Sequence, residues 1–370
     1  MLKKYLFIIV ILAFLVSQAS QAWVSGYNYR KKITINNAQV DDDDALYTQF
    51  PMLVSVTDGD LATEANGGHV TDAQGDDIIF TDANDTQLAH EVEAYTAASG
   101  LIIYWVAVDI ADSTADEIIY MYYGNYSVTS ATESPADVWD ANYEGVWHLH
   151  DDWTDSTGNH NGTATGTPTH VSFKIGNGMD NDSGDYLTCA NTYDVPSTGT
   201  LSLWLSHDGF VGKSRFFGAA DDFEALYNDN VGGIANNFYH AASGGSLTTG
   251  LSSPQTYYFA FTWNGTVLAN ILNGTTVTTA TGNNSDPGTV TFNIGRVPNQ
   301  PTQPWLGQLD EVRLSKTVRS NGWIATCYNN QNAPGDFITF GPEVNQNLIY
   351  DRGTRKNRFD GGVFQNFYDN

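Results

Sequence analysis

The sequence predicts an all-β protein made of two β-sandwich domains, with one short helix near the C-terminal end. Three observations lead there. Apolar and polar residues alternate in many short runs, helical periodicity is almost absent, and turn-forming residues separate the runs. The chain carries 33 Asp against 9 Glu, with 35 Gly in 370 residues. Asp bonds its own local backbone and Gly accepts positive φ, so this bias favours tight turns.

The first 22 residues read as a leader. Lys3 and Lys4 precede an apolar run from Tyr5 to Val16, and Ser20-Gln21-Ala22 places small residues before a cut at Trp23. That is the pattern of a secretory signal peptide, and the expected location is secreted or cell-surface. The run is short for a membrane span, and no later stretch approaches about 18 apolar residues, so no span is expected in the mature chain. The net charge of −26 becomes −28 once Lys3 and Lys4 are removed. Such a field repels nucleic acid and anionic membrane, so neither is an expected partner. Cys189 and Cys327 are free to pair in an exported protein if their Cα atoms lie within about 7 Å, which the sequence leaves open.

The first domain is expected over residues 23–142. Tyr29, Lys31, Ile33 and Ile35 alternate with Arg30, Lys32 and Thr34, as in a half-buried strand. Further strands are expected at 51–57, 78–81, 91–95, 101–110 and 117–123. Leu101 to Ile110 is apolar on both faces, which suits a central strand. Asp41 to Asp44 read as a solvated loop, set against a cation site. Ser134-Pro135 marks a short helix start with Ser134 as cap, the hinge to a second domain at 143–343. There, strands are expected at 185–189, 200–207, 213–217, 257–263, 267–272, 289–294 and 308–315, with a closing strand at 337–340. Asn-Gly at 264–265 and at 273–274 predicts hairpin turns. A helix is expected over Arg319 to Asn330, capped by Ser320, with Trp323, Ile324, Cys327 and Tyr328 on one stripe. Residues 344–370 are a polar tail with four basic residues and the apolar anchors Phe359, Val363, Phe364, Phe367 and Tyr368. It reads as a frayed end or as a docking segment for self-assembly or a partner protein.

Two stretches resemble known families. The first is carried by Tyr29 to Ile35 (YRKKITI), Phe50 to Val54 (FPMLV), Asp76 to Asp82 (DDIIFTD) and Ile119 to Asn125 (IYMYYGN). This part is similar to an exported bacterial and archaeal β-domain family of unknown function. The second is carried by Gly145 to Leu149 (GVWHL), Asp155 to Asn159 (DSTGN), Leu309 to Ser315 (LDEVRLS) and Tyr328 to Gln331 (YNNQ). It resembles the concanavalin A-like, laminin-G-like domains. The resemblance implies a jelly roll, extracellular placement and, often, glycan or protein binding.

Candidate site residues follow from chemistry. Calcium takes about six to eight oxygens, from Asp, amide and loop carbonyl groups. Asp155, Asn159 and Asn161 offer them from one Gly-containing loop, and Asp310 opens a strand that runs beside it in laminin-G-like domains. A structural Ca2+ site on Asp155, Asn159 and Asp310 is therefore expected. The competing reading is an Asx-turn loop, with Asp310 capping backbone or paired with Arg313. His148 and His150 share a strand face beside Asp151 and Asp152, which suits a transition metal or, more plainly, a packed and a solvated histidine. Trp153, Tyr239 and Trp305 are the expected ligand-stacking aromatics, against the reading that each ring is core. No Glu has Asp two residues on, as the glucanase E-x-D-x-x-E motif requires, and no G-x-S-x-G elbow occurs. The expectation is a secreted, non-catalytic protein binding a carbohydrate or cell-surface component. The alternatives are a structural subunit of an extracellular filament, cell envelope or virion appendage, and a polysaccharide-degrading enzyme.

Overall fold

The computed structural model describes residues 23–41, 46–110, 114–209, 213–220, 223–228, 233–238, 255–265, 267–281 and 288–346. The expected leader, most of the tail, Asp42 to Asp44 and Tyr239 lie outside these. The protein is all-β, with antiparallel sheets and, among the described residues, one helix longer than four residues, Asn321–Asn332.

The first half contributes two sheets. One runs in the order Ile338–Phe340, Tyr29–Ile35, Glu117–Tyr123, Ile79–Thr81, Gln87–Leu88. The other runs Tyr47–Thr57, Leu101–Ile110, His90–Thr96. Ile33, Phe50, Met52, Phe80, Tyr104 and Val106 fill the space between them, each fully or almost fully buried. Asp77 ties the loops at one end of this sandwich. Its buried carboxylate accepts from the Thr71, Asp72, Gly124 and Asn125 backbone N–H groups at 2.9–3.2 Å, and from Thr71 Oγ1. The DDIIFTD and YMYYGN signatures thus meet through one side chain.

The second half is a larger sandwich. Its first sheet runs Thr169–Ser172, Asn177–Asn181, Gly307–Ser315, Thr198–Ser206, Thr256–Asn264, Val267–Leu272, Thr275–Thr281, and Tyr143–Trp147 also pairs with Gly307–Ser315. Its second sheet runs Gly233–Phe238, Phe223–Asn228, Lys213–Ala220, Asn293–Ile294, Tyr186–Cys189, Gly162–Thr165. The core between them holds Trp147, Leu203, Phe216, Phe259, Trp263 and Trp305. Asn273 (φ 49°) and Gly274 (φ 75°) make the two-residue turn between Val267–Leu272 and Thr275–Thr281, the geometry for which Asn-Gly is suited.

The two sandwiches share cores. The helix Asn321–Asn332 lies between them, its Ser320 hydroxyl accepting from Trp323 N–H at 3.1 Å as the sequence predicts. Ser134, expected to cap the short helix Pro135–Val138, makes no side-chain capping bond there. Trp323 packs edge-on against Tyr47 and Phe50, with ring centroids 5.4 and 5.1 Å away. Trp204, Tyr258 and Ile271, from the outer face of the second sandwich, join the same cluster. Asn330 takes the place of a neighbouring strand: its Oδ1 accepts from Leu53 N–H at 2.7 Å and its Nδ2 donates to Leu53 C=O at 3.0 Å. The strand expected to close the second sandwich instead returns to the first, pairing Ile33 with Phe340 and Ile35 with Ile338. Cys189 and Cys327 are unpaired, buried thiols in the two different cores.

Removing the Trp323 ring empties a wedge that both halves contact. We expect Trp323→Ala to cost about 3–5 kcal/mol, with a single urea transition in the wild type, since the halves share this core. Two separated transitions in the wild type would contradict that coupling.

Candidate functional site

The site is built by two β-bulges on facing strands. Leu309, Val312 and Leu314 all point into the core of the second sandwich. The spacing from Leu309 to Val312 is one residue too long for strict alternation. The extra residue is Glu311, at φ 54°, where the register with Thr198–Ser206 shifts. The bulge turns Asp310, Glu311 and Arg313 together toward the first half. Opposite them, His90–Thr96 is irregular between Val92 and Ala94 and presents Glu91 and Glu93. His148 follows Tyr143–Trp147 and enters the same layer, where Leu53, Ile103, Trp105, Trp139, Val146 and Ile175 exclude water.

The polar groups interlock. His148 Nδ1 lies 2.7 Å from Glu311 Oε1 and 3.6 Å from Glu93 Oε2. Its Nε2 lies 3.3 Å from Glu91 Oε2, close enough for an ion pair but not aligned as a hydrogen bond. Glu311 Oε2 accepts from Arg313 Nη2 at 2.6 Å. Trp105 Nε1 donates to Glu93 Oε2 at 2.7 Å, Trp139 Nε1 to Glu91 Oε2 at 2.8 Å, and Ser156 Oγ to Glu91 Oε1 at 2.6 Å. The Arg313 guanidinium sits over the Trp105 and Trp139 rings, 4.2 and 4.8 Å from their centroids. Ile175 N–H donates to Asp310 Oδ2 at 2.8 Å. Glu93 Oε1 and Asp310 Oδ1 have no hydrogen-bond partner among the described residues, although both side chains are buried.

Electrostatics divides these acids. Burial opposes the charge on Glu311, but His148 and Arg313 outweigh it and hold the carboxyl below its usual range. Burial also opposes the charge on Glu91, and His148 again prevails. Burial, reinforced by the Glu311 charge, pushes Glu93 and Asp310 well above the carboxylate range. For His148, burial favours the neutral ring, yet Glu311 and Glu91 raise its value well above the ordinary one.

Beside this layer an open groove of about 790 Å³ separates the halves. Glu93, Tyr95 and Thr96 line it from the first half, together with Gln74. His150, Asp151, Phe173 and Asn177 line it from the second.

The residues singled out from sequence are placed differently. Asp155 is buried, and its two oxygens accept from Val146, Thr157, Asn159 and His160 backbone N–H groups and from Thr157 Oγ1, at 2.8–3.1 Å. Its lone pairs face donors, which an ion would have to displace, so the Asx-turn reading describes this loop. Asn159 Nδ2 donates to Glu144 C=O at 3.2 Å. Asp310 belongs to the layer above, bonded to Ile175. Trp305 is a correction: it is fully buried, donating to Ser206 C=O and packed on His207 and Phe216, and has no free face for a ligand. Trp153 is half-buried and stacked on His170 at 4.0 Å, so one of its faces is already covered. Tyr239 lies outside the described residues. Of the acids that form the buried layer, Glu91, Glu93 and Glu311 are not among the site residues expected from sequence. The broken alternation in LDEVRLS was the signal for Glu311.

Residues 181–325 match the concanavalin A-like lectin/glucanases superfamily, and residues 74–162 match a domain of unknown function, DUF2341. Similar solved structures include domain 4 of AbnA, a GH43 extracellular arabinanase from Geobacillus stearothermophilus, in complex with arabinotriose. It shares 17% identity and a TM-score of 0.40, over 50% of this chain and 97% of that one. The binding domain of Paraclostridial Mosquitocidal Protein 1 shares 13% identity at TM-score 0.40, over 50% of this chain and 52% of that one. A mutant Trypanosoma rangeli sialidase displaying trans-sialidase activity shares 14% at TM-score 0.41, over 66% and 44%. No curated protein matches by sequence.

Two measurements test the electrostatic account. Glu311→Ala leaves Arg313 and His148 without their shared partner, and we expect urea unfolding to show a loss of about 3–5 kcal/mol. His160 offers a pH signature. Its Nε2 lies 2.7 Å from Glu144 Oε1 and its Nδ1 2.8 Å from Ala190 C=O, so both nitrogens face acceptors. Burial lowers its pKa, but Glu144 and the carbonyl outweigh this and raise it. The stabilisation is therefore complete below the ordinary value of 6.5 and is lost as pH rises through the raised one. We expect the melting-temperature difference between wild type and His160→Ala to shrink as pH rises through that window.

Proposed function

We propose that this is an exported, non-catalytic protein that binds carbohydrate, and that the groove between the two sandwiches is its binding face. The observation that carries the reading is the composition of that groove. Tyr95 and Phe173 supply aromatic surface for the apolar faces of a sugar ring. Gln74, Thr96, Asp151 and Asn177 supply the directional donors and acceptors that hydroxyl groups require. The superfamily match over residues 181–325 supports the same class of ligand. The groove is open and its lining draws on strand His90–Thr96 and on the turn between Thr169–Ser172 and Asn177–Asn181. A chain with several sugar units fits such a surface better than a single enclosed ring.

The test is a glycan array followed by titration with the best-retained oligosaccharide. Gln74 is exposed and the Asp151 side chain is 77% exposed, so alanine at either leaves the core intact. We expect the double variant Gln74→Ala/Asp151→Ala to bind about 10-fold more weakly or worse, as for loss of one or two hydrogen bonds. A wild type that retains no glycan would overturn the reading. Reducing sugar released from the bound oligosaccharide would replace it with a hydrolase.

A further inference from the structure

We propose that the buried layer beneath the groove is a binding site for a divalent transition-metal ion of the zinc class, with Glu93, His148 and Glu311 as ligands. Each of the three offers one ligand atom, and those atoms all lie within 4.8 Å of one another. Ligands about 2.0–2.2 Å from a tetrahedral zinc stand roughly 3.4 Å apart. The 3.6 Å from His148 Nδ1 to Glu93 Oε2 already fits that edge. The 2.7 Å contact from His148 Nδ1 to Glu311 Oε1 opens modestly when an ion replaces the shared proton.

Independent features point the same way. Glu93 Oε1 is an unpartnered oxygen on a side chain 1% exposed, an expensive arrangement without a ligand. The outer contacts are those of a built metal centre. Glu91 faces His148 Nε2, the ring nitrogen away from the proposed ion, and is itself held by Trp139 and Ser156. That places a carboxylate, a histidine and the proposed ion in the order found in histidine-ligated metal centres. Arg313 grips Glu311 Oε2 and leaves Oε1 toward His148, and Trp105 steadies Glu93. Glu93 also lines the groove, the side from which an ion would enter. The inference does not depend on the groove's binding sugar.

The full chain, freed of metal and dialysed against Co2+, should bind about one ion per chain at this layer, with the visible d–d absorption of a low-coordinate site, displaced by Zn2+. Glu93→Gln should weaken Co2+ binding by more than about 10-fold, and Glu91→Gln by about 10–100-fold through His148. A second, half-buried group of possible ligands, Asp60, His69 and Glu343, serves as the control: His69→Ala should retain the absorption. If Glu93→Gln does not fold, the wild type still decides the matter. The Trp105 and Trp139 indole N–H protons, bonded to Glu93 and Glu91, should show paramagnetic shifts in the Co2+ form. No bound ion in folded wild type, indole signals that stay in place, or loss of binding in His69→Ala would each overturn the proposal.

Discussion

This fold takes four carboxyl groups out of water in one layer, and the arrangement of the two sandwiches answers to that cost. An ionised carboxylate in an apolar layer is tolerated when it is paired and hydrogen-bonded. Glu91 and Glu311 come from different halves of the chain, yet each is satisfied through His148. Neither half completes this pairing alone. Sliding one sandwich on the other by a strand position would strand at least one charge, so the layer fixes register as well as proximity. The apolar wedge around Trp323 supplies area, while the charged layer supplies specificity of position.

Bulges make that layer possible. A regular strand sends neighbouring residues to opposite faces, so Asp310 and Glu311 would part company, one into the core of the second sandwich. The additional residue at Glu311 lets Leu309, Val312 and Leu314 keep their inward places while both acids and Arg313 face outward. The positive φ of Glu311, a non-glycine residue inside a strand, is a local strain that the surrounding pairs hold in place.

Much of the fold was legible. Apolar patterning located Glu117–Tyr123 and Leu101–Ile110 to the residue, because these strands have one or two apolar faces. Asn273-Gly274 declared its turn, since few other pairs accept two positive φ angles in succession. Ser320 declared its cap for the same local reason. What failed was non-local. The loop acids looked like cation ligands because Asp155 and Asn159 carry the right oxygens, but composition does not reveal that backbone N–H groups already surround the Asp155 carboxylate. Trp305 looked like a rim residue because Gln and Pro flank it, and its burial arises from sheet packing that lies outside any local window. The candidate metal ligands stand far apart in sequence, at 93, 148 and 311, and the strand pairing that gathers them is not written in any one segment.

The return of the chain to its starting sheet has a mechanical consequence. Tyr29 faces Asn345 and Arg30 faces Val344, while Ile33 faces Phe340 further along the same antiparallel strand. Whatever lies before residue 29 and after residue 345 therefore leaves from one end of that strand pair. Tension carried between the two flanking segments would peel the ribbon apart one rung at a time instead of shearing all its bonds together. The rest of both sandwiches would stay outside the line of load until that seam had opened.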